Sequence, residues 1–122
     1  MSHILIIDDD EQIRSLLRQM LERAGHQVTD ASNGNEGMRI FRAAPTDLII
    51  TDLIMPEQEG VETIVELRRE FPAVPVIAMS GGGRLGTRDY LPIAKQLGAR
   101  RTISKPFSRD EMLEAVRSVL AP

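Results

Sequence analysis

Two short apolar runs of this chain each end on aspartate. The first run, residues 4–7, is followed by Asp8, Asp9 and Asp10, and the second ends at Asp52. A buried strand that stops on a carboxylate presents it at the edge of the sheet, so two adjacent strands of this kind collect negative charge. Two like charges about 4 Å apart repel by roughly 4 kcal/mol at an effective dielectric near 20. We therefore expect a divalent cation to offset this acidic cluster.

Length and composition restrict the class of protein. The 122 residues predict one domain, residues 1–122, and the contents of 42% hydrophobic and 27% charged residues are ordinary for a globular protein. A formal charge of −3 argues against a nucleic-acid-binding surface, and the lack of cysteine excludes disulfides and thiolate metal sites. Neither a signal peptide nor an apolar stretch of roughly 20 residues is visible. The expectation is a cytoplasmic domain that binds neither membrane nor nucleic acid directly.

Strand and helix patterns alternate along the chain. Apolar runs predict strands at residues 4–7, 48–51 and 76–79. Residues 27–31, which mix polar and apolar side chains, are expected to form the second strand, and residues 101–103 a weaker fifth strand. Helical spacing of apolar residues predicts five helices after them. The residues expected to face inward from these helices are Ile13, Leu16, Leu17, Met20 and Leu21; Met38 and Phe41; Val61, Ile64, Val65 and Phe71; Leu91, Ala94 and Leu97; and Met112, Val116, Val119 and Leu120. Five strand–helix units in sequence predict a parallel sheet with helices on both faces.

Polar residues mark where three of the helices begin. Either Asp9 or Asp10 can cap the first helix, and we interpret Asp10 as a cap rather than as a chemical group. Ser32 and Asn33 offer a cap for the second helix. Ser108 precedes the last helix with Glu111 three residues on, which predicts a capping box.

The composition of the strands predicts their order in the sheet. The first, third and fourth strands are apolar throughout, as expected where helices cover both faces, whereas the second and fifth carry polar residues typical of edges. The order 2-1-3-4-5 satisfies this pattern and is the flavodoxin-like, doubly wound arrangement. Ligands bind such sheets beyond the carboxyl ends of the strands. Five residues with polar side chains stand at those ends: Asp8, Asp9, Asp52, Ser80 and Lys105.

A hydroxyl and a cation therefore join the carboxylates. Taken alone, Ser80 is more often a turn residue ahead of its glycines, and Lys105 is more often a solvated lysine. Together, beside a carboxylate and a bound metal, they form a set that can bind a phosphoryl group. The metal and the lysine neutralise its oxygens, and the hydroxyl donates to one of them.

Over essentially its whole length the chain resembles the receiver domain of bacterial response regulators, the CheY-like proteins of two-component signalling. The matching segments are Ile7-Asp8-Asp9, Thr51-Asp52, Met55-Pro56 with Gly60, Ser80-Gly81, Gly98-Ala99 and Lys105-Pro106-Phe107. The resemblance implies that Asp52 is the phosphoacceptor and that Asp8, Asp9, Asp52 and the backbone carbonyl of Ile54 bind Mg²⁺.

The same resemblance assigns roles to the remaining residues and to partners. Lys105 is expected to pair with the phosphoryl group or with Asp52, Ser80 to be the switch hydroxyl, and the Lys105–Pro106 peptide to be cis. The donor is expected to be a sensor histidine kinase or a phosphotransfer protein. The domain is then a signalling switch with at most weak autophosphatase activity, not an enzyme. Its partner surface is expected on the fourth and fifth helices and the fifth strand, whether it stands alone or belongs to a longer regulator.

Three departures from the family pattern are visible. Thr102 occupies the position where the family usually has an aromatic switch residue. Residues 80–86 contain four glycines, and the stretch from Ser80 to Gly98 is about three residues longer than is typical of the family. We expect the glycine-rich loop to be mobile until Ser80 engages a phosphate. Ile54 and Gly82, which flank the path of water attack, offer no group that orients water.

Two other readings of the acidic cluster stay open at this point. One is a small Mg²⁺-dependent phosphatase of the haloacid-dehalogenase type, in which Asp8 is the nucleophile of an Asp-x-Asp motif. Proteins of that family have Thr or Val at the position of Gln12, and they are larger chains with a cap domain. The other is a degenerate receiver that only binds a partner. Mapping the phosphorylated residue and titrating Mg²⁺ separate these readings.

Overall fold

Strands and helices alternate from the N-terminus. The computed structural model describes residues 2–53, 59–81, 95–96 and 98–121. The strands are β1 (His3–Ile7), β2 (Gln27–Ala31), β3 (Leu48–Asp52), β4 (Val76–Gly81) and β5 (Arg101–Lys105), and the helices are α1 (Glu11–Arg23), α2 (Gly34–Ala43), α3 (Glu59–Glu70) and a C-terminal helix (Arg109–Leu120). The glycine-rich loop beyond residue 81, Ile54 and most of the expected helix at residues 87–97 lie outside the described residues. Residues 95 and 96 of that helix are helical.

All four strand pairings are parallel, and the sheet has the order β2-β1-β3-β4-β5. The predicted order is therefore confirmed. Residues of the central strand β3 are all buried, whereas the edge strand β2 is largely half-buried. The polar content of the edge strands follows from this difference, because their outer side chains meet water.

Alternating residues of the central strands supply two separate apolar cores, one on each face of the sheet. Leu5 and Ile7 of β1 belong to the core under α2 and α3, while Ile4 and Ile6 belong to the core under α1 and the C-terminal helix. All four side chains are fully buried. Burying one such side chain contributes about 1.5–3 kcal/mol, so both faces anchor the sheet.

Two residues predicted to face inward are exposed instead. Leu16 of α1 is 47% exposed and Val65 of α3 is 45% exposed. On α1, Leu16 lies at the border of the stripe formed by its buried neighbours, Leu17, Met20 and Leu21. On α3, Leu67 is buried in the core, whereas Val65 faces solvent. Helical spacing locates a stripe within about one residue, and only packing decides which border residue is covered.

The predicted helix caps are present. The Asp10 side chain accepts the amide of Gln12 at 2.9 Å, which caps α1. The second helix is capped by Asn33 and not by Ser32. Ser108 and Glu111 form the predicted capping box. The Lys105–Pro106 peptide is cis, also as predicted.

Gly37 is the point of closest approach between α2 and the sheet. A Cβ atom built there meets the Ile7 side chain, nearest to Cδ1 and 2.8 Å from Cγ1. We expect Gly37→Ala to lower the free energy of unfolding by about 1–3 kcal/mol, because a fully buried side chain must move. Urea denaturation measures this change.

The matched test adds Ile7→Val, which removes the Cδ1 atom. We expect the double variant to be more stable than the sum of the two single changes predicts. Additive single effects would contradict the steric argument. A stabilised Gly37→Ala variant would contradict it as well, since alanine is otherwise the better helix former.

Among the helices of the described residues, none has the length and apolar character needed to cross a lipid bilayer.

Candidate functional site

The register of the sheet brings the two aspartate clusters to one place. Ile7 of β1 pairs with Thr51 of β3, so Asp8 follows at the level of Asp52. Carboxylate oxygens of Asp8, Asp9 and Asp52 all lie within 4.8 Å of one another. The convergence follows from parallel pairing, since parallel strands present their carboxyl ends at the same edge.

Three structural features of the acidic cluster fit a magnesium ion. The atoms that Asp8, Asp9 and Asp52 bring together are carboxylate oxygens, the type of ligand that Mg²⁺ prefers. Asp8 is fully buried and Asp52 is 3% exposed, so their charges are poorly screened by water. Asp9 is exposed, which gives a hydrated ion a way in. Because Mg²⁺ keeps several waters and needs only one or two carboxylates, these residues fit it.

Lys105 is the cation of the site. Its Nζ donates to Asp8 Oδ2 at 2.8 Å and lies 3.5 Å from Asp52 Oδ1, with the lysine side chain 17% exposed. The ion pair with Asp52 is the predicted one. The closer contact with Asp8 was not predicted, because nothing in the sequence distinguishes which aspartate the lysine reaches.

Burial and pairing both act on the ionisation of this pair. Burial raises the pKa of Asp8, although hydrogen bonds from Lys105 and from the Asp10 amide act against it. Burial also works to lower the pKa of Lys105, but the hydrogen bond to Asp8 and the charge of Asp52 outweigh it and leave that pKa raised. Lys105 is therefore a fixed positive charge at neutral pH.

Asp10 has a structural role that reaches the site. Its backbone amide donates to Asp8 Oδ1 at 2.9 Å, while its side chain caps α1. Both oxygens of Asp8 are thus engaged, one by Asp10 and one by Lys105. The start of α1 consequently sets the orientation of Asp8.

The sequence predicted that Ser80 follows the fourth strand, but in the structure Ser80 lies within β4. Its neighbour Met79 pairs with Asp52, and Ser80 itself pairs with Ser104. The Ser80 side chain is 2% exposed. On β5, Thr102 stands half-buried at the position of the usual aromatic residue. The strand ladder runs further than the apolar pattern, so Asp52 and Lys105 also end their strands rather than follow them.

One residue of this region was missed by sequence reasoning. Arg14 of α1 donates from Nη1 to the backbone carbonyl of Asp8 at 2.8 Å, and its Nε pairs with Asp30 Oδ2 at 3.3 Å. The available signal was Asp30 itself, because aspartate is depleted in strands and this one stands within β2.

Comparison with known proteins identifies the fold and the family. A family model described as the response regulator receiver domain matches residues 4–117. The chain is 32% identical over 117 residues to the chemotaxis protein CheY of Halobacterium salinarum, a match that covers 96% of this chain and 95% of that protein. A crystal structure of a receiver domain protein from Clostridium thermocellum superposes with a TM-score of 0.90 at 30% identity, over 98% of this chain and 94% of that one. The fold is therefore CheY-like.

Longer regulators match over only part of their length. The chain is 31% identical over 119 residues to the transcriptional regulatory protein GlrR of Escherichia coli, covering 98% of this chain and 26% of that protein. These comparisons give no support to the haloacid-dehalogenase alternative. Receiver domains are signalling switches of two-component systems rather than enzymes. On the evidence of fold, site and sequence, this chain belongs to the response regulator receiver domain family.

Proposed function

We propose that residues 1–122 form one receiver domain whose Asp52 accepts a phosphoryl group in a Mg²⁺-dependent reaction. The donor is a sensor histidine kinase or a phosphotransfer protein. The observation that carries the proposal is the meeting of three carboxylates within 4.8 Å beside Lys105, in a member of the receiver family. An acidic cluster alone explains neither the half-buried lysine nor the burial of two of its members.

Asp52 is the nucleophile. A carboxylate oxygen attacks the phosphorus of a phosphohistidine, so an O–P bond forms while the P–N bond breaks. The bonding pair of that bond stays on the donor imidazole, which takes a proton from solvent. Phosphoryl transfer of this kind depends mainly on positioning and charge. Lys105, 3.5 Å from Asp52 Oδ1, is placed to neutralise a phosphoryl oxygen.

Asp8 and Asp9 would hold the cation, together with Asp52 and, by resemblance, the carbonyl of Ile54. When bound, Mg²⁺ supplies positive charge that offsets the charge on the transferring group. The Nζ atom of Lys105 donates to Asp8 Oδ2 at 2.8 Å and lies 3.5 Å from Asp52 Oδ1. The same lysine therefore holds one of the carboxylates expected to bind the cation and lies within reach of a phosphoryl group on Asp52.

Ser80 connects this event to the surface. Its position on β4, next to the residue that pairs with Asp52, supports a role as the switch hydroxyl. The expected output surface lies on β5, the C-terminal helix and the predicted fourth helix. The chain spans 26% of the length of the GlrR protein and 48% of the length of a second transcriptional regulatory protein, from Bacillus subtilis. An effector domain attached to the receiver is therefore one form of the output that we propose. We place the domain in the cytoplasm and assign it at most weak autophosphatase activity.

Labelling with acetyl phosphate, a small phosphodonor, tests the function. The purified chain is incubated with the donor in buffers that contain either Mg²⁺ or EDTA, and the modified residue is mapped by mass spectrometry. We expect modification of Asp52 that requires Mg²⁺. A label on Asp8 would restore the phosphatase reading. No label under any condition, together with no Mg²⁺ binding, would favour the degenerate receiver.

A further inference from the structure

Arg14 of α1 contacts the backbone of the acidic cluster. Its guanidinium donates from Nη1 to the carbonyl oxygen of Asp8 at 2.8 Å, and its side chain is 17% exposed. The amide of Asp8 donates to the carbonyl of Ala31 in β2 at 3.1 Å. The backbone at Asp8 is thus held on both sides, by β2 through its amide and by α1 through its carbonyl.

Asp30 holds Arg14 in this position. Its Oδ2 pairs with Arg14 Nε at 3.3 Å, and its Oδ1 pairs with Nη2 of Arg18 at 3.0 Å. The Nη1 atom of Arg18 donates to the carbonyl of Val28 at 3.0 Å and to Glu22 Oε2 at 3.1 Å, and neither acceptor belongs to the acidic cluster. Two arginines of one helix therefore share a carboxylate, but only Arg14 continues to a residue of the site.

The carbonyl that Arg14 binds belongs to the peptide between Asp8 and Asp9. The orientation of that peptide plane sets ψ of Asp8 and φ of Asp9, and with them the direction of one side chain relative to the other. Arginine suits the task because its planar fork contacts two partners at a fixed angle. A lysine carries the same charge on one nitrogen and does not reproduce both contacts.

We propose that Arg14 is a positioning residue of the cation site. Anchored by Asp30, it holds the Asp8–Asp9 peptide so that both carboxylates face one Mg²⁺ ion. This inference rests on the proposed function, because it concerns the same cation. It adds a link from β2 through α1 to the site.

Arg14→Lys separates position from charge. Removal of the arginine charge would by itself favour a nearby cation, so a neutral substitution mixes two opposing effects. Outer-shell partners of metal ligands typically change metal affinity by about 10–100-fold when they are replaced. Because Arg14 acts on the backbone of the ligands, we expect a loss at the lower end, about tenfold, for Arg14→Lys.

Isothermal titration of Mg²⁺ into the metal-free wild type, Arg14→Lys and Arg18→Lys proteins measures this loss. Arg18→Lys is the matched control, because it disturbs the same Asp30 without touching Asp8. We expect its Mg²⁺ affinity to stay close to that of the wild type. In the metal-free proteins, Arg14→Lys should also shift the backbone ¹⁵N resonance of Asp9, whose amide belongs to the restrained peptide, and Arg18→Lys should not.

Equal Mg²⁺ affinities of the Arg14→Lys and Arg18→Lys proteins would overturn the inference while the proposed function stands. A wild type that binds no Mg²⁺ would instead overturn the proposed function, and the Asp9 resonance would still decide whether Arg14 orients the peptide. Asp30→Glu is the second variant should Arg14→Lys fail to fold. It keeps the negative charge but moves the carboxylate that anchors Arg14, and we expect it to weaken Mg²⁺ binding in the same direction.

Discussion

Phosphorylation of the Asp52→Asn variant is expected to fall by on the order of a thousandfold or more, because the nucleophilic oxygen is lost. An amide of nearly the same shape replaces the carboxylate, so the fold should survive. Asp52 lies in a cluster with two further carboxylates. Removal of one negative charge relieves repulsion in the cluster, and Lys105, which loses its 3.5 Å ion pair with Asp52, keeps its closer contact with Asp8 at 2.8 Å. We therefore expect the metal-free variant to unfold at no lower urea concentration than the wild type.

Acetyl phosphate labelling, followed by mass spectrometry of the intact chain, measures the first effect. Asp10→Asn is the matched control, since Asp10 stands at the same sheet edge but caps α1, and asparagine caps as well as aspartate does. We expect this control to be labelled at the wild-type level. An Asp52→Asn protein labelled like the wild type would refute the assignment of Asp52.

Lys105→Met is the second change with a large expected effect. Loss of one partner leaves Asp8, which is fully buried, without its 2.8 Å contact. Breaking a buried ion pair from one side destabilises a protein by 3–5 kcal/mol, and the partial exposure of the lysine places this case at about 3 kcal/mol. We expect this loss in metal-free buffer at neutral pH. Added Mg²⁺ should restore stability, because it supplies the missing positive charge to the same carboxylates.

The effect of pH on this variant has a definite sign. Burial already raises the pKa of Asp8, and loss of Lys105 removes a contact that opposes the rise. When the pKa of a carboxyl group is higher in the folded state than in the unfolded state, protonation of that group stabilises the fold. This contribution is fully present below the unfolded pKa, about 3.9 for aspartate, and is lost as the pH rises through the folded pKa. Metal-free Lys105→Met should therefore recover part of its deficit as the pH is lowered from 7 toward that value.

Urea denaturation with and without Mg²⁺ tests both statements. Arg101→Met serves as the control on the same strand, because Arg101 pairs with Glu114 at the surface, where the two side chains are 38% and 55% exposed. A surface pair of this kind contributes at most about 1 kcal/mol, and its loss should not respond to Mg²⁺. Equal destabilisation of the two variants would contradict the role of Lys105 in the buried pair.

Local patterns predicted most of the architecture. Continuous apolar runs in the central strands and polar residues in the edge strands were enough to order the sheet, because burial on two faces excludes polar side chains. The caps at Asp10, Asn33 and Ser108 followed from side chains that accept backbone amides. Border positions such as Leu16 and Val65 did not follow, since their exposure depends on which neighbouring element covers them.

The residues expected at the site were also readable from the chain, because each lies at or next to the carboxyl end of a strand, and parallel pairing brings those ends to one edge. The residue types at those ends therefore determined which ligands the site can bind. Carboxylates can bind a cation, and a lysine and a hydroxyl can bind a phosphoryl group. Only the tertiary structure decided which of these side chains contact each other. Lys105 lies closer to Asp8 than to Asp52, and Arg14, which pairs with Asp30, donates to the Asp8 carbonyl. Such contacts join residues far apart in sequence at distances of a few ångströms, which only the packing of helix on sheet sets.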